Sequence, residues 1–410
     1  MTDGSSLWGK WPKFRCSRCG WEAVGPVRRC PRADGLVEAD YGERHPTSWD
    51  ELIAPGIQGV WRYGTALPSL AVQLSLAEGG TPLLESRRIG GEFRLRLAFK
   101  DETRNPTGSF KDRAAAILVS EAASRGRTGL ALTSSGNAGA SLAMYCALAG
   151  IRCTVFASRE ASDEKLLQVQ AFGAAVMRTP ERSEADLAAA AGLAGSRPGW
   201  SDASTIAERS PLVLEGYKTM AYEIAAAGVP DVVVVPVGAG TLLLGLWKGF
   251  LELRAWGISE VVPRMVGVQP HGWDAVTWAY ERGDSEILPR CGPPTIASGA
   301  ALADPGLDGR ETLRAVRESD GSMIAIRDED TQRAQRRLAE TEGILAEPSG
   351  ALGVAGVERA FLAGRIEARE TVVAVVTGDG LKDLRSLARI VSSRATEATS
   401  IVEQGQQVRP

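Results

Sequence analysis

Short, unbroken apolar runs alternate with alanine- and leucine-rich stretches over most of the chain beyond residue 90. An unbroken apolar run is typical of a strand that is buried on both faces of its sheet, because a strand with one wet face alternates apolar and polar residues. Such strands, separated by helices, predict an α/β fold with mostly parallel sheets covered by helices. The predicted strands begin at Gly129, Ile151, Ala174, Asp231, Arg264 and Thr371.

The most informative local pattern surrounds Lys111. A polar turn at 105–108 precedes an alanine-rich apolar stretch at 114–119, and this order predicts a helix that begins near Lys111. The positive end of a helix disfavours an ammonium group, and together with partial burial it lowers a lysine pKa. We therefore predict that Lys111 is an amine nucleophile able to form a Schiff base. The alternative is an ordinary helix-start lysine paired with Asp101 or Asp112.

A second strand-to-helix turn, LTSSGNAGAS, runs over 132–141. Ligands of parallel sheets bind at such turns, where exposed amides and serine hydroxyls can hold a carboxylate. The amide of Asn137 would suit a phenolic or carbonyl oxygen. Alternatively, the serine and asparagine side chains do no more than cap the helix.

Two more turns of this kind follow. In PVGAGTLLLG, at 236–245, small residues would let a phosphate approach the free amides of a helix start. Glycine turns of this type also occur without a ligand. In VVTGDGLKD, at 375–383, Thr377 offers a hydroxyl that could bond a buried ring nitrogen, or could be a plain helix cap.

Composition narrows the class of protein. The chain has 410 residues, 44% of them hydrophobic, and a net charge of −3, which is enough for roughly two or three domains with substantial cores. The near-neutral charge and the lack of a dense basic run argue against nucleic acid as a partner. The first residues lack the apolar core of a signal peptide, and no apolar stretch is long enough to span a bilayer, so we expect a cytoplasmic protein without a membrane partner.

The N-terminal cysteines resemble an incomplete zinc knuckle. Cys16, Cys19 and Cys30 have the spacing of its first three thiols, but the fourth expected position is Ala33. His45 could complete a tetrahedron, yet a residual ribbon without metal is at least as compatible with the sequence. We therefore predict no metal.

Together, these segments resemble the fold type II family of pyridoxal-phosphate enzymes, and within it the threonine synthases. The resemblance spans about residues 60 to 390, and NPTGSFKDR at 105–113 is its most specific motif. It also includes EGGTPLL at 78–84, SSGNAGAS, LEGYKTMAYEI at 214–224, PVGAGT, TIASG at 295–299, EPSGALG at 347–353 and TGDGLKD.

The resemblance implies roles for residues of four of these motifs. Lys111 would carry pyridoxal 5'-phosphate and then act as the general base. The cofactor phosphate would contact Gly238, Ala239, Gly240 and Thr241. Asn137 would contact the ring hydroxyl, and Thr377 would contact the pyridine nitrogen. The carboxylate of the amino-acid substrate would contact Ser134, Ser135 and Ala138.

The resemblance also implies an architecture of two three-layer domains with the cofactor between them. We expect an N-terminal arm at 1–50 that carries the degenerate knuckle, and a large cofactor-binding domain formed by 51–104 and 196–395. A smaller mobile domain would span 105–195, and 396–410 would be a polar tail. By analogy, the protein would be a homodimer.

For a threonine synthase, the implied reaction converts O-phospho-L-homoserine and water to L-threonine and phosphate. One position departs from that pattern, because Val213 stands where threonine synthases commonly have an arginine associated with the substrate phosphate. Arg209, Arg113, Lys218 or Arg159 could replace it.

Three hypotheses follow from the sequence. The first is a threonine synthase. The second is a related β/γ-replacement or elimination enzyme with another leaving group, such as a cysteate-synthase-like or specialised-metabolism homologue or a serine/threonine dehydratase. The third is a non-catalytic binding protein with the same fold, against which the intact Lys111 argues.

Overall fold

The computed structural model of the protein describes residues 12–25, 27, 29–42, 45–134, 136–159, 161, 163–179 and 184–391. The predicted polar tail at 396–410 and the first eleven residues of the predicted arm lie outside these ranges.

The described residues form thirteen strands and twelve α-helices, and a π-helical turn, Leu338–Glu342, follows the eleventh helix. The strands are β1 (Lys13–Cys16), β2 (Glu22–Val24), β3 (Val37–Asp40), β4 (Leu83–Glu85), β5 (Arg96–Asp101), β6 (Gly129–Thr133), β7 (Arg152–Ser158), β8 (Ala175–Thr179), β9 (Trp200–Asp202), β10 (Val232–Pro236), β11 (Arg264–Pro270), β12 (Ser322–Ile326) and β13 (Thr371–Val376). The helices are α1 (Trp49–Leu52), α2 (Ile89–Glu92), α3 (Lys111–Ser124), α4 (Asn137–Ala149), α5 (Asp163–Ala171), α6 (Glu184–Gly195), α7 (Val213–Ala226), α8 (Thr241–Ala255), α9 (Ala275–Arg282), α10 (Gly306–Glu318), α11 (Asp328–Arg337) and α12 (Pro348–Leu362).

The larger sheet has six strands in the order β12-β11-β10-β13-β5-β4. All neighbours are parallel except β4, which pairs antiparallel with β5 at the edge. Every residue of the central strand β10 is buried. Val232 and Val234 join one hydrophobic core, whereas Val233 and Val235 join the other, because successive side chains of a strand point to opposite faces. Burial on both faces is the reason that β10 reads as an unbroken apolar run.

The smaller sheet has four parallel strands in the order β8-β7-β6-β9. The strand β9 hydrogen-bonds to β6, with Gly129 opposite Trp200. This sheet therefore extends beyond 195, the predicted end of the smaller domain. The sequence Trp-Ser-Asp contains no apolar run from which this short edge strand could be predicted.

The predicted α/β fold class with mostly parallel sheets is confirmed. The six predicted strands correspond to β6, β7, β8, β10, β11 and β13. The short edge strand β12 was not among them, and it completes one side of the larger sheet.

An antiparallel sheet in the order β2-β1-β3 precedes the two large sheets. Phe14, Val37 and Ala39 of this sheet, together with the adjacent Leu36, belong to the same hydrophobic core as the helices α3 and α7. The arm therefore packs on the body of the protein. Within the described part of the chain, no helix is both long and apolar enough to cross a membrane.

Candidate active site

A cavity of about 420 Å³ opens where strands of both large sheets end. Thr133 at the end of β6, Ser158 at the end of β7, Pro236 at the end of β10 and Thr377 just after β13 all line it. Ligands of open parallel sheets bind at these carboxyl ends. Each predicted site residue that the structure describes lines this one cavity: Lys111, Ser134, Asn137, Ala138, Gly238, Ala239, Gly240, Thr241 and Thr377. Ser135 lies outside the described residues.

Lys111 is the first residue of α3 and is partly buried. Backbone hydrogen bonding holds its turn against the end of β13, because the amide of Phe110 donates to the carbonyl of Thr377 at 3.1 Å. The Lys111 Nζ donates to Thr205 Oγ1 at 3.2 Å and lies 5.5 Å from the centre of the Tyr217 ring. Burial lowers the pKa of Lys111 to about 8, although the Asp308 carboxylate acts in the opposite direction. The amine is therefore substantially neutral in mildly alkaline solution.

Neither Asp112 nor Asp101, the predicted alternative partners, pairs with Lys111. The Asp112 carboxylate accepts hydrogen bonds from the amide and the hydroxyl of Thr107, both at 2.7 Å. The Asp101 carboxylate accepts a hydrogen bond from the hydroxyl of Thr103 at 2.6 Å. Both acids stabilise the turn that leads into α3.

The turn between β10 and α8 has the geometry of an anion cradle. Gly240 has φ +106°, and a Cβ there would collide with Thr312 Oγ1, so only glycine fits. Because α8 begins at Thr241, the amides of its first turn have no acceptor within the helix and carry the positive end of its dipole. A phosphate group fits this arrangement.

An acid that sequence reasoning did not single out lies beside this cradle. The Thr241 hydroxyl donates to Asp308 Oδ2 at 2.5 Å, and Asp308 also accepts the amides of Ala207 and Glu208 at 2.9 and 2.8 Å. Burial raises the pKa of Asp308 to about 7. Partial protonation near neutral pH weakens its repulsion of an anion in the cradle. An acidic residue in a first helical turn is common, so Asp308 gave no signal of a site.

The amide of Asn137 contacts a second buried acid. Its Nδ2 donates to Glu347 Oε1 at 2.6 Å, and Glu347 itself lines the cavity. Burial raises the pKa of Glu347, against the opposing charges of Lys165 and Lys382. Glu347 belongs to the quoted EPSGALG motif, which was the signal available in the sequence, but no site role was assigned to it.

Ser134 takes up the capping role that was the alternative for its motif. Its Oγ accepts the amides of Gly136 and Gly139 at 3.1 and 2.9 Å, across the start of α4. Ser134 and Ala138 nevertheless line the cavity. Their predicted contact with a substrate carboxylate would use the open amides of this helix start.

Two further cationic side chains of the described residues line the cavity beside Lys111, namely Lys165 and Arg209. Both already have acidic partners. Arg209 is 2.5 Å from Asp202, and Lys165 is 3.1 Å from Asp383. Each cation therefore offers less than a full uncompensated charge to a ligand.

The other predicted substitutes for an arginine at Val213 do not reach the cavity. Val213 is fully buried at the start of α7. Arg113 is fully buried against Glu102, and Lys218 is fully buried against Glu215 at 2.6 Å. Arg159, which is exposed, is not among the lining residues.

Comparisons with known proteins agree with this fold. Residues 74–378 match the model of the family described as pyridoxal-phosphate dependent enzyme. The threonine synthase of Methanocaldococcus jannaschii is 34% identical over 380 residues, which cover 90% of this chain and 92% of the relative. The chain therefore belongs to the family of pyridoxal-phosphate dependent enzymes, and its cofactor is pyridoxal phosphate.

Solved structures share the fold. A threonine deaminase from T.th. superposes with a TM-score of 0.60 at 27% identity, covering 73% of this chain and 92% of that chain. The diaminopropionate ammonia lyase of Escherichia coli superposes with a TM-score of 0.67 at 20% identity, covering 77% and 88%. At that lower identity, the second likeness concerns the fold alone.

Proposed function

We propose that this protein is a threonine synthase-like lyase that converts O-phospho-L-homoserine and water to L-threonine and phosphate. The observation that carries the proposal is the Lys111 amine of lowered pKa in one cavity with the anion cradle of α8. The similarity to a threonine synthase over 90% of the chain supports the choice of reaction.

The residues of the cavity divide the work of binding. Gly238 to Thr241 would hold the cofactor phosphate on the amides of α8, and Lys111 would anchor the cofactor covalently. Asn137 and Thr377 would contact its ring. Bound pyridoxal phosphate supplies an electron sink for negative charge that develops on the substrate.

Lys111 would also move the protons. Burial lowers the pKa of its Nζ amine to about 8, which suits proton transfer near neutral pH. The Nζ would accept a proton from the substrate Cα and exchange one at Cβ. The hydroxyl of Thr205, 3.2 Å from Nζ, would keep the amine oriented during these steps.

The substrate anions would use two other parts of the cavity. The open amides at the start of α4, beside Ser134 and Ala138, suit the amino-acid carboxylate. The substrate phosphate would then rely on Lys165 and Arg209, the cations left in the absence of an arginine at Val213.

A second candidate is elimination from a hydroxy-amino acid, as in a serine/threonine dehydratase. The observation that favours it is the carboxylate pairing of Arg209 and Lys165, which reduces the positive charge available to a dianionic leaving group. The likeness to a threonine deaminase at 27% identity agrees with this candidate.

The test is a substrate panel with the purified holoenzyme. O-phosphohomoserine, O-phosphoserine, serine and threonine would be supplied separately, and phosphate, threonine, pyruvate and 2-oxobutyrate measured. We expect phosphate and threonine from O-phosphohomoserine. Keto-acid from serine or threonine, without threonine formation from O-phosphohomoserine, would decide for the dehydratase.

A Lys111→Ala variant supplies the blank for this panel. It should lose the visible absorbance of the lysine-bound cofactor together with every product. Lys13→Ala is the matched control, because Lys13 is an exposed lysine paired with Glu22. A wild-type protein that takes up no cofactor would refute both enzymatic candidates.

We also propose an oligomeric state and a cellular location for the enzyme. A homodimer acting in the cytoplasm on a small amino-acid substrate would be consistent with the enzymes that the sequence resembles. Light scattering on the eluting holoenzyme would give the mass directly, and a monomeric mass would contradict the dimer.

A further inference from the structure

The three N-terminal cysteines come together in the folded arm. The Sγ atoms of Cys16, Cys19 and Cys30 all lie within 4.8 Å of one another, and those of Cys19 and Cys30 are 3.5 Å apart. Cys16 ends β1, a turn carries Cys19, and the loop between β2 and β3 returns Cys30 to the same point. Two separate chain segments therefore converge on one cluster of thiols.

The spacing of the sulfurs matches a tetrahedral metal site. Four thiolates at about 2.3 Å from a zinc ion are separated from one another by about 3.8 Å. The Cys19 and Cys30 sulfurs are slightly closer than this at 3.5 Å, and no pair in the cluster is more than 4.8 Å apart. A backbone amide also points at the cluster, since Arg32 N donates to Cys30 Sγ at 3.3 Å. Amide-to-sulfur hydrogen bonds of this kind support thiolate ligands in metal sites.

The surroundings of the cluster are those of a segment that needs a cross-link. Cys16 is buried, but Cys19 and the neighbouring residues 31 and 32 are exposed, and no described residue between 25 and 36 lies in a helix or strand. Small loops without a core of their own are commonly held by a metal or a disulfide. Arg15, Arg18 and Arg32 lie next to or near the cysteines in sequence and would offset the negative charge of thiolates.

The fourth corner has no protein ligand among the described residues. His45, the predicted alternative, is outside the cluster and stacks on Trp256 with ring centroids 5.9 Å apart. Asp34 pairs with Arg310 at 2.9 Å. The spacing from Cys30 to Ala33 repeats that from Cys16 to Cys19, so Ala33 occupies the position of the missing ligand.

We infer that Cys16, Cys19 and Cys30 bind a zinc ion through three thiolates, with solvent at the fourth position. This inference reverses the expectation of a metal-free knuckle, because the fold supplies three converging thiols that the sequence alone left unplaced. It is independent of the proposed reaction. The metal would hold the arm, whose Arg29 pairs with Glu208 beside the cavity residue Arg209.

Metal analysis and cobalt substitution of the full chain test the inference. Protein purified under reducing conditions should contain one zinc per chain, and replacement by Co²⁺ should give thiolate-to-cobalt charge-transfer bands and the visible bands of tetrahedral cobalt. Cys19→Ser and Cys30→Ser should each lose the bound metal and these bands. Cys291→Ser should retain them, because this exposed thiol lies outside the cluster.

Ala33→Cys provides the complementary gain. A fourth thiolate should intensify the charge-transfer band and slow the removal of zinc by a chelator. The cofactor absorbance of each variant shows that it is folded. The inference is overturned if reduced wild-type protein binds neither zinc nor Co²⁺ stoichiometrically, if Cys19 and Cys30 are recovered as a disulfide in place of metal, or if the two serine variants bind as wild type does.

Discussion

At the scale of single residues, two ionisable groups near the cavity, Lys111 and Asp308, influence each other. Burial lowers the pKa of Lys111 to about 8 and raises the pKa of Asp308 to about 7, so each group is pushed toward its neutral form. The Asp308 carboxylate counteracts part of the shift on Lys111, because a negative charge stabilises the ammonium form. The protonation state of the lysine therefore depends on an acid 197 residues away in the chain, the difference between positions 308 and 111.

Asp308→Asn should move the titration of Lys111 to lower pH. Removal of a negative charge destabilises the ammonium form, so the neutral amine predominates at a lower pH. The measurement is the rate at which cofactor-free protein condenses with added pyridoxal phosphate, followed by absorbance as a function of pH. Asp304→Asn, on the preceding exposed loop, is the control. An unchanged midpoint would show that Asp308 does not act on Lys111.

Arg209→Gln should selectively weaken the binding of phosphorylated substrates. Since a hydrogen bond to a charged group contributes about 1.5–3 kcal/mol, KM for O-phosphohomoserine should rise by about 10- to 100-fold. Turnover of a substrate without phosphate should change little. Arg197→Gln serves as the control, because Arg197 is exposed and does not line the cavity. Equal effects on both kinds of substrate would place Arg209 outside the phosphate site.

At the scale of elements, the helix α8 connects the anion cradle to the core. Its N-terminal amides face the cavity, while Leu243, Leu246 and Phe250 are buried in the same hydrophobic core as α7. The end of strand β10 at Pro236 positions the turn from which the helix begins. The conformation of Gly240 then decides whether the amides point into the cavity.

Gly240→Ala should lower both stability and cofactor affinity. Alanine would have to adopt the positive φ of Gly240, and its Cβ would collide with Thr312, a buried β-branched side chain that has little freedom to turn away. We expect a loss of about 1–3 kcal/mol in the free energy of unfolding and a weaker affinity for pyridoxal phosphate. Urea unfolding and cofactor titration would measure them.

Gly257→Ala separates the effect of backbone strain from the effect of the collision with Thr312. Gly257 follows the same helix and has φ +73°, and a methyl group added there would meet nothing within 4 Å. The variant should show the cost of backbone strain without the collision and leave cofactor affinity unchanged. If both variants lost affinity equally, the cradle would not depend on the close contact with Thr312.

At the scale of the whole molecule, a buried ion network joins distant parts of the chain. Arg113 of α3 contacts Glu102 and Glu223, both at 2.7 Å, and Lys100 contacts Glu223 at 2.6 Å. All of these side chains are nearly inaccessible to solvent. Arg113 belongs to the NPTGSFKDR motif, so the motif that carries Lys111 also anchors its helix to α7.

Arg113→Met should be strongly destabilising. It leaves two buried carboxylates with one cation, and breaking a buried pair from one side costs about 3–5 kcal/mol. Urea unfolding would measure the loss. Arg104→Met is the matched control, because Arg104 is exposed and its pair with Asp101 is 3.5 Å long. That variant should change stability by less than about 1 kcal/mol.

The loss of stability caused by Arg113→Met should also depend on pH in a defined direction. Burial opposes ionisation of Glu223, but Arg113 and Lys100 outweigh it and lower the pKa of Glu223 to about 2. Its ionised form therefore stabilises the wild type above the usual glutamate pKa, and this contribution is lost as the pH falls toward 2. The difference between Arg113→Met and the wild type should shrink in acid. A constant difference would indicate lost packing instead of lost charge pairing.

The sequence by itself determined the fold class, the four turns around the cavity and the central position of Lys111. These features are local: the apolar runs of β10 and β13, and the small residues before α8, follow from the burial and turn geometry of their own segments. The resemblance to a known family rests on the same short motifs.

Only the tertiary structure decided which charges lie at or beside the cavity and which thiols meet. Asp308 and Glu347 lie beside Thr241 and Asn137 because separate helices pack there, and Arg113 is withdrawn into an ion network although its sequence position suggested a substrate contact. Contacts between residues far apart in the chain depend on the packing of whole elements. The periodicity of a single segment does not reveal how whole elements pack. That packing sets both the protonation of Lys111 and the cations available to a substrate.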